Sequence, residues 1–346
     1  MGTDVPSIRQ VIKRRLRGPY ESVAATVAPI GWRLRQEPAL AILMYHRVLP
    51  EDDARCVAEQ PGMWVSPVTL DLHLRVLREH FELVHLDDWL SDRVAGRDLP
   101  RRACAITFDD GWRDNFEFAF PILRRHRVPA TIFLVSDFVG GVYTFWPNQL
   151  MAALRAVSSA LEVRAWPGPL ASVLAAKLPS AGRWPPGPEV LDHAIGSCKQ
   201  AFSDEQMRDW LSALGSAEVK GRRDLLDWAE IHEMAHSGLV RFGSHSRRHT
   251  RLLESLDSAS VNDEVAGSRK ALEAHLERRV TLFCYPNGDL SGRAEAQVRS
   301  EYLGAVLTAP GWNTRLSDPH RLRRVGVHDG IAMHSEGFLA RLAGWV

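Results

Sequence analysis

The chain has 346 residues, a net charge of +1, 45% hydrophobic and 25% charged residues. That composition fits a folded globular protein large enough for one big domain or two ordinary ones. The near-neutral balance gives no global electrostatic case for nucleic acid, and no run of 18 apolar residues marks a membrane-spanning helix. Cys56, Cys104, Cys198 and Cys284 have no framework spacing and form no Cys-x-x-Cys, so they read as reduced thiols of a cytoplasmic protein.

Residues 1–38 read as a basic leader. Lys13, Arg14, Arg15 and Arg17 precede a weakly apolar stretch, Val23 to Trp32, which Pro29 interrupts. The stretch is too short and too broken for a signal-peptide core. The plain expectation is a solvated basic helix; the sharper one is a peripheral contact with anionic membrane lipid. Leu40 to Val48 predicts a first strand ending in Tyr45-His46-Arg47-Val48. Ser66-Pro67 is a helix cap followed by proline in the first turn, and Leu70, Leu74 and Leu77 mark that helix's apolar face. Phe81 to Leu86 and Ala103 to Phe108 predict strands, Asn115 to Arg127 a helix despite Pro121, and Ala130 to Val135 another strand. The span 39–145 is therefore the first part of an α/β unit.

The rhythm breaks at Trp146-Pro147. Residues 146–238 show helical signals and few strands, including a capping box at Ser203 to Gln206, and read as a helical insertion: a lid, a dimer surface or a docking site. Alternation resumes over 239–346, with strands near Leu239–Phe242, Thr281–Tyr285, Gly304–Thr308 and Arg323–Val327, and a helix near Ser260–Arg278. Seven to eight mostly parallel strands interleaved with helices predict a distorted (β/α) barrel with a helical insertion.

Two segments carry chemistry. In Ala103-Cys104-Ala105-Ile106-Thr107-Phe108-Asp109-Asp110-Gly111 a buried strand ends in paired carboxylates and a glycine turn. The carboxyl ends of strands are where α/β folds bind ligands. Neighbours on a strand face opposite ways, but a turn at Gly111 swings both carboxylates towards one pocket, where one could hold a metal and the other take a proton. Far downstream, Leu239 to Gly243 runs into Ser244-His245-Ser246-Arg247-Arg248-His249-Thr250. Imidazoles at i and i+4 share one face of a helical turn. Two histidines and one aspartate with open positions make a catalytic metal layout, not a closed structural one. Asp-Asp-Gly alone is a common turn and His-x-x-x-His alone a common surface pair; together, each after a strand, they predict a metal site.

These motifs, with Phe283-Cys284-Tyr285-Pro286-Asn287-Gly288 third in order, resemble the polysaccharide deacetylases (carbohydrate esterase family 4, the nodulation-type chitooligosaccharide deacetylase domain) over about residues 40–330. Met44-Tyr45-His46-Arg47-Val48 resembles the exopolysaccharide and surface-glycan branch. The resemblance implies a distorted barrel and a metal-dependent hydrolase that removes N-acetyl groups from an N-acetylated glycan or glycan precursor. It implies Asp109 as general base, and Asp110, His245 and His249 as ligands of a divalent ion, zinc first, with cobalt or nickel as alternatives. It further implies an oxyanion donor at the backbone N–H of Tyr285, beside Pro286.

The chain departs from that pattern twice. The third motif lacks the arginine that orients the base in many relatives, so another residue must tune Asp109. The late histidine motif is indistinct, which leaves His328 (before Asp329) and His46 as general-acid candidates. Trp112, Trp146 and Trp312 are candidates for stacking on sugar rings, against the plain expectation of packing. Arg113 and Asp114 are rim candidates. Two other readings remain open: an amidohydrolase of the same fold acting on a non-sugar linear or cyclic amide, and a non-catalytic glycan-binding protein.

Overall fold

The computed structural model describes residues 8–179, 183–215 and 223–344, with side chains from Gly18 onwards. Lys13, Arg14, Arg15 and Arg17 therefore lie outside the described side chains. Strands of the main sheet are β1 (Ala39–Tyr45), β2 (Glu82–Leu83), β3 (Arg102–Phe108), β4 (Ala130–Leu134), β5 (Val240–Ser244), β6 (Leu282–Cys284), β7 (Gly304–Pro310), β8 (Asn313–Thr314) and β9 (Leu322–Gly326). Their order is β8-β1-β9-β7-β6-β5-β4-β3-β2, and β1 also pairs with β3. That pairing runs from Ala39 opposite Arg102 to Tyr45 opposite Phe108, while Leu43 and Met44 pair on the other edge with Val325 and Gly326. Seven parallel strands thus close into a barrel, as the alternation of strands and helices predicts. The remaining two are short: β2 extends from the edge of β3, and β8 is antiparallel to the lower end of β1.

Side chains alternate along each strand and sort into two cores. Leu40, Ile42, Ala103, Ala105, Leu282, Cys284 and Leu322 point inward, joined by Leu86, Trp89 and Leu90 from the helix Leu86–Val94. Ala41, Leu43, Tyr45, Cys104, Ile106 and Phe108 point outward, against the surrounding helices. The inward row of β3 continues through Thr107 to Asp109, so strand parity alone brings that carboxylate to the mouth of the barrel.

The helices follow from local chemistry. Ser66 caps Pro67–His80 by accepting from the Thr69 amide. Asn115 to His126 is helical but opens with one wide turn, Asn115–Ala119, before Phe120–His126. In the inserted region, the helices Trp146–Ala156, Gly168–Ala175, Pro188–Ala201 and Asp204–Ala213 bury Leu150, Met151, Leu170, Leu191, Ile195 and Met207 in a core of their own. The predicted capping box is present at Ser203 and Gln206. That separate core ends near Leu211. The later helix Trp228–His236 instead gives Ile231 and Met234 to the outer core of the barrel.

The N-terminal helix, Ile8–Leu34, packs on the C-terminal helix Ser335–Leu342 through a face that buries Ala24, Ala28 and Trp32. Its opposite face exposes Tyr20, Val23, Val27, Ile30 and Leu34. Among the described residues no helix is long and apolar enough to cross a membrane. All four cysteines are free thiols.

Candidate active site

The site lies where the inward rows of several strands reach the open end of the barrel. Asp109 is 1% exposed, with Arg324 of β9 beside it. The Arg324 guanidinium forks onto this carboxylate, Nη1 to Oδ1 and Nη2 to Oδ2, both at 2.7 Å. Its other donors reach Leu307 O at 2.8 Å, Thr107 Oγ1 at 3.1 Å and the Cys284 thiol at 3.2 Å. Parity explains the meeting: Asp109 is two residues beyond Thr107, Arg324 two beyond Leu322 and Cys284 two beyond Leu282, all on inward rows. Burial alone would push the Asp109 carboxyl up, but the Arg324 charge outweighs it and holds the group below the ordinary carboxylate value. The arginine missing from the third motif is thus supplied by another strand.

Asp110 would face outward by strand parity. Its backbone instead turns left-handed, at φ 74°, followed by Gly111 at φ 74°. A Cβ on Gly111 would stand 2.8 Å from Leu134 Cδ2, so close packing as well as backbone conformation demands glycine there. The turn aims Asp110 at two imidazoles. Oδ1 lies 3.3 Å from His245 Nε2 and 3.5 Å from His249 Nε2, while Oδ2 accepts from Trp112 Nε1 at 2.9 Å. One oxygen is thereby fixed by the indole and the other left to the histidines. Burial raises the Asp110 carboxyl, and the neighbouring imidazoles of His245, His249 and His46 outweigh it and hold the group below its ordinary value.

The histidines do not sit on a helical turn, contrary to the expectation from their spacing. Residues 245–250 form a loop in which Ser246 and His249 adopt positive φ, 63° and 58°. Such backbone is costly for non-glycine residues and persists where its surroundings enforce it. Here the enforcing group is buried Glu264. One of its oxygens accepts from the amides of Arg247 and Arg248, each at 2.9 Å, and the other from Thr250 Oγ1 at 3.0 Å. His245 Nδ1 is 2.8 Å from the Cys284 carbonyl, which can only accept, so the proton sits on Nδ1 and Nε2 is left as the ligand atom. The candidate ligand atoms of Asp110, His245 and His249 lie within 4.8 Å of one another. Two imidazoles and one oriented carboxylate beside open space fit a divalent ion with room for water and substrate.

These groups line a cleft of about 260 Å³ that also includes His46, Trp112, Trp146, Tyr285 and Thr308. His46 Nε2 is 3.8 Å from Asp109 Oδ2. Burial pulls its pKa down and the nearby Asp109 and Asp110 charges pull it up, leaving it below its ordinary value. His328 is not on the cleft wall; it precedes the short helix Asp329–Ala332 and lies near Gly62. Of the two acid candidates, the structure brings only His46 to the carboxylates.

Other expected residues take different places. Trp312 lies away from the cleft: β8 turns the chain back towards the start of β1, and the indole packs on Trp32 and Phe81 and donates to Leu342 O at 2.7 Å. Trp112 lines the cleft but is 2% exposed, with its ring under the Arg47 guanidinium at 4.0 Å, so it braces Asp110 and offers no open stacking face. Pro286 starts a turn and does not line the cleft. The Tyr285 amide already donates to Val306 O at 3.3 Å, as part of the β6–β7 pairing, and is not a free oxyanion donor. Asp114 is no rim residue: it is buried, pairs with Arg47 at 2.8 Å and accepts from the Val48 amide at 2.7 Å. Arg113 pairs with Glu117 and Glu230.

Sequence reasoning passed over Arg324. The available signal was Arg323-Arg324 inside a predicted strand, because adjacent residues face opposite ways and one of the two had to point inward. It also passed over Lys199, Asp204 and Arg208, which the inserted helices contribute to the cleft wall.

The family model of the polysaccharide deacetylases matches residues 96–162 and 194–304, more than half of the chain. The chain belongs to the polysaccharide deacetylase family. It is 28% identical over 305 residues to the Bacillus subtilis (strain 168) protein YxkH, named as a polysaccharide deacetylase, covering 87% of this chain and 76% of that one. It is also 28% identical over 133 residues to poly-beta-1,6-N-acetyl-D-glucosamine N-deacetylase of Staphylococcus aureus (strain MSSA476), covering 36% of this chain and 45% of the relative. Its fold is similar to that of the Streptococcus pyogenes deacetylase PplD, with TM-score 0.58 and 17% identity over 89% of this chain and 99% of that one. IcaB from Ammonifex degensii gives TM-score 0.57 and 18% identity over 90% of this chain and 97% of that one. The polysaccharide deacetylase is a carbohydrate-directed hydrolase, and its family implies a divalent metal, for which the Asp110, His245 and His249 cluster is the fitting place.

Proposed function

We propose that this deacetylase hydrolyses the acetamide of an N-acetylated sugar in a surface or exopolysaccharide, with Asp109 as base, His46 as acid, and Asp110, His245 and His249 as ligands of a zinc ion. The observation that carries the reading is the fork of Arg324 on Asp109 beside the Asp110, His245 and His249 cluster. The named activity of the Staphylococcus aureus relative supports a poly-N-acetylated glycan as substrate class.

A divalent ion held by the cluster would supply Lewis-acid polarisation of the acetamide carbonyl and acidify water. Asp109, kept ionised by Arg324, takes the proton of the attacking water. Its geometry is fixed by two parallel hydrogen bonds, so the base stays aimed without reorganisation. His46, with Nε2 3.8 Å from that carboxylate, is placed to take up the proton that Asp109 has accepted and hand it to the departing amine. Cys284 and Thr107 complete the buried shell around the base.

Metal content and acetate release test this together. Asp109→Asn is expected to keep about one equivalent of metal and lose turnover of an N-acetylglucosamine oligomer. His249→Ala is expected to lose both. Full turnover by Asp109→Asn would remove Asp109 as base; absence of metal from the wild type after zinc is supplied would remove the metal reading.

A further inference from the structure

The wall contributed by the inserted helices has a charge that the hydrolytic machinery does not use. Within the cleft, Asp109 is matched by Arg324, Asp204 lies 3.4 Å from Arg251, and Arg248 is paired with Asp263 and Glu264. Two cations are left over. Lys199, at the end of Pro188–Ala201, lines the cleft, and its Nζ makes a 3.5 Å contact to Gln60 Oε1. Arg208, on Asp204–Ala213, reaches the Tyr143 hydroxyl. Among the described residues neither makes an ion pair. The unpaired carboxylates that act on Lys199 are Asp192, which accepts from Gln60 Nε2 at 2.6 Å, and Asp110, whose charge a divalent ion at its cluster would more than neutralise.

These cations are not on a loose surface. Arg251, two residues after His249, donates to the carbonyls of Lys199 and Phe202, the latter at 2.6 Å, and its amide reaches Asp204 at 3.3 Å. Asp204 also accepts from Trp146 Nε1 at 2.8 Å. The turn joining the two cation-bearing helices is thus fastened to the loop that carries the metal-binding histidines. Part-burying an ammonium that makes no ion pair is costly, and burial lowers the Lys199 pKa. A site that holds such a group beside a catalytic floor gains by receiving an anion there.

We propose that Lys199 and Arg208 form an anion subsite, so that the substrate is an N-acetylated glycan bearing an oxyanion, carboxylate or phosphate ester, near the sugar that is deacetylated. This rests on the deacetylase reading for the position of the acetamide at the cleft floor. The oxyanion has two sources, a neighbouring uronate or a glycosyl phosphate, and both present acceptor oxygens to an ammonium and a guanidinium.

The test is calorimetric binding to the metal-loaded full chain. The ligands are neutral di-N-acetylchitobiose, a disaccharide of N-acetylglucosamine with glucuronate, and N-acetylglucosamine 1-phosphate. At least one acidic ligand is expected to bind about tenfold tighter than the neutral one, the scale of a charge-assisted hydrogen bond. That preference should fall with rising ionic strength, shrink in Lys199→Met and in Arg208→Met, and survive in Lys199→Arg. The neutral ligand is the internal reference for a correctly folded variant, and the two methionine variants probe separate helices. The acidic ligand that gains identifies uronate or phosphate as the source. No gain for either acidic ligand, absence of binding included, overturns the subsite. So does a gain that both methionine variants retain. Preferential binding without acetate release would leave the subsite standing and overturn the hydrolytic reading instead.

Discussion

The floor of the cleft and its inserted wall are built on opposite plans. On the floor, Thr107 of β3 and Asp109 at its end, Cys284 from β6 and Arg324 from β9 are buried and satisfy one another within a shared sheet. In the wall, Lys199 and Arg208 stand on helices with their own small core, line the cleft and make no ion pair among the described residues. The floor fixes atoms to within a hydrogen bond, as acid–base chemistry needs. The wall can change its chemistry without disturbing the barrel, as selection among glycans needs. The fastening of Lys199 and Phe202 to Arg251 is the join between the two plans.

The largest expected effect comes from cutting the floor. Arg324→Met leaves Asp109 buried without its counter-charge, a loss of about 3–5 kcal/mol for a broken buried pair. With Arg324 gone, burial raises the Asp109 pKa, so the acid limb of kcat/KM should move to higher pH and activity near neutrality should fall by about a hundredfold or more. An unmoved acid limb, in a variant shown to be folded, would mean that Arg324 does not set the base.

A smaller effect should come from hollowing out the wall. Ile195 is fully buried in the inserted core, and Ile195→Ala should cost about 2–5 kcal/mol there. The separate core predicts a raised KM and early hydrogen exchange in residues 188–213, with metal content unchanged. Loss of metal in that variant would show that the two regions fold as one unit.

Acid should separate the two regions most gently. His73 is buried in the barrel's outer layer, stacked on Phe338 and bonded to Tyr45 Oη at 2.9 Å and Ala332 O at 2.7 Å. Burial pulls its pKa down to about 4. The fold holds the neutral ring, so its stabilisation is complete above pH about 6.5 and is lost as pH falls towards about 4, amounting to about 3 kcal/mol. The described histidine of the inserted helices, His193, is exposed and adds no comparable contribution. Urea melts across that window should show the barrel weakening and His73→Phe removing part of the slope; an unchanged slope would place the acid sensitivity elsewhere.

Much of this was legible in the chain itself. Short apolar, β-prone runs such as Ala103 to Phe108 and Leu239 to Phe242 determined strands, Ser66-Pro67 determined a helix start, and two motifs just after strands determined that Asp109, Asp110, His245 and His249 would meet at one rim. Each of those signals is local, written within a few residues of the group it positions. The identity of the residue that holds the base was not local. Arg324 is 215 residues from Asp109 in sequence, and the two meet only because closure of the barrel puts β9 next to β1 and β3 on the other side of it. Closure likewise excluded His328, Trp312 and Pro286 from the cleft and occupied the Tyr285 amide. The loop of His245 and His249 owes its form to Glu264, which no helical periodicity could reveal. The sequence determines which residues a strand points inward; only the registered, closed sheet decides which inward residues touch, because distance across a barrel depends on every pairing around it.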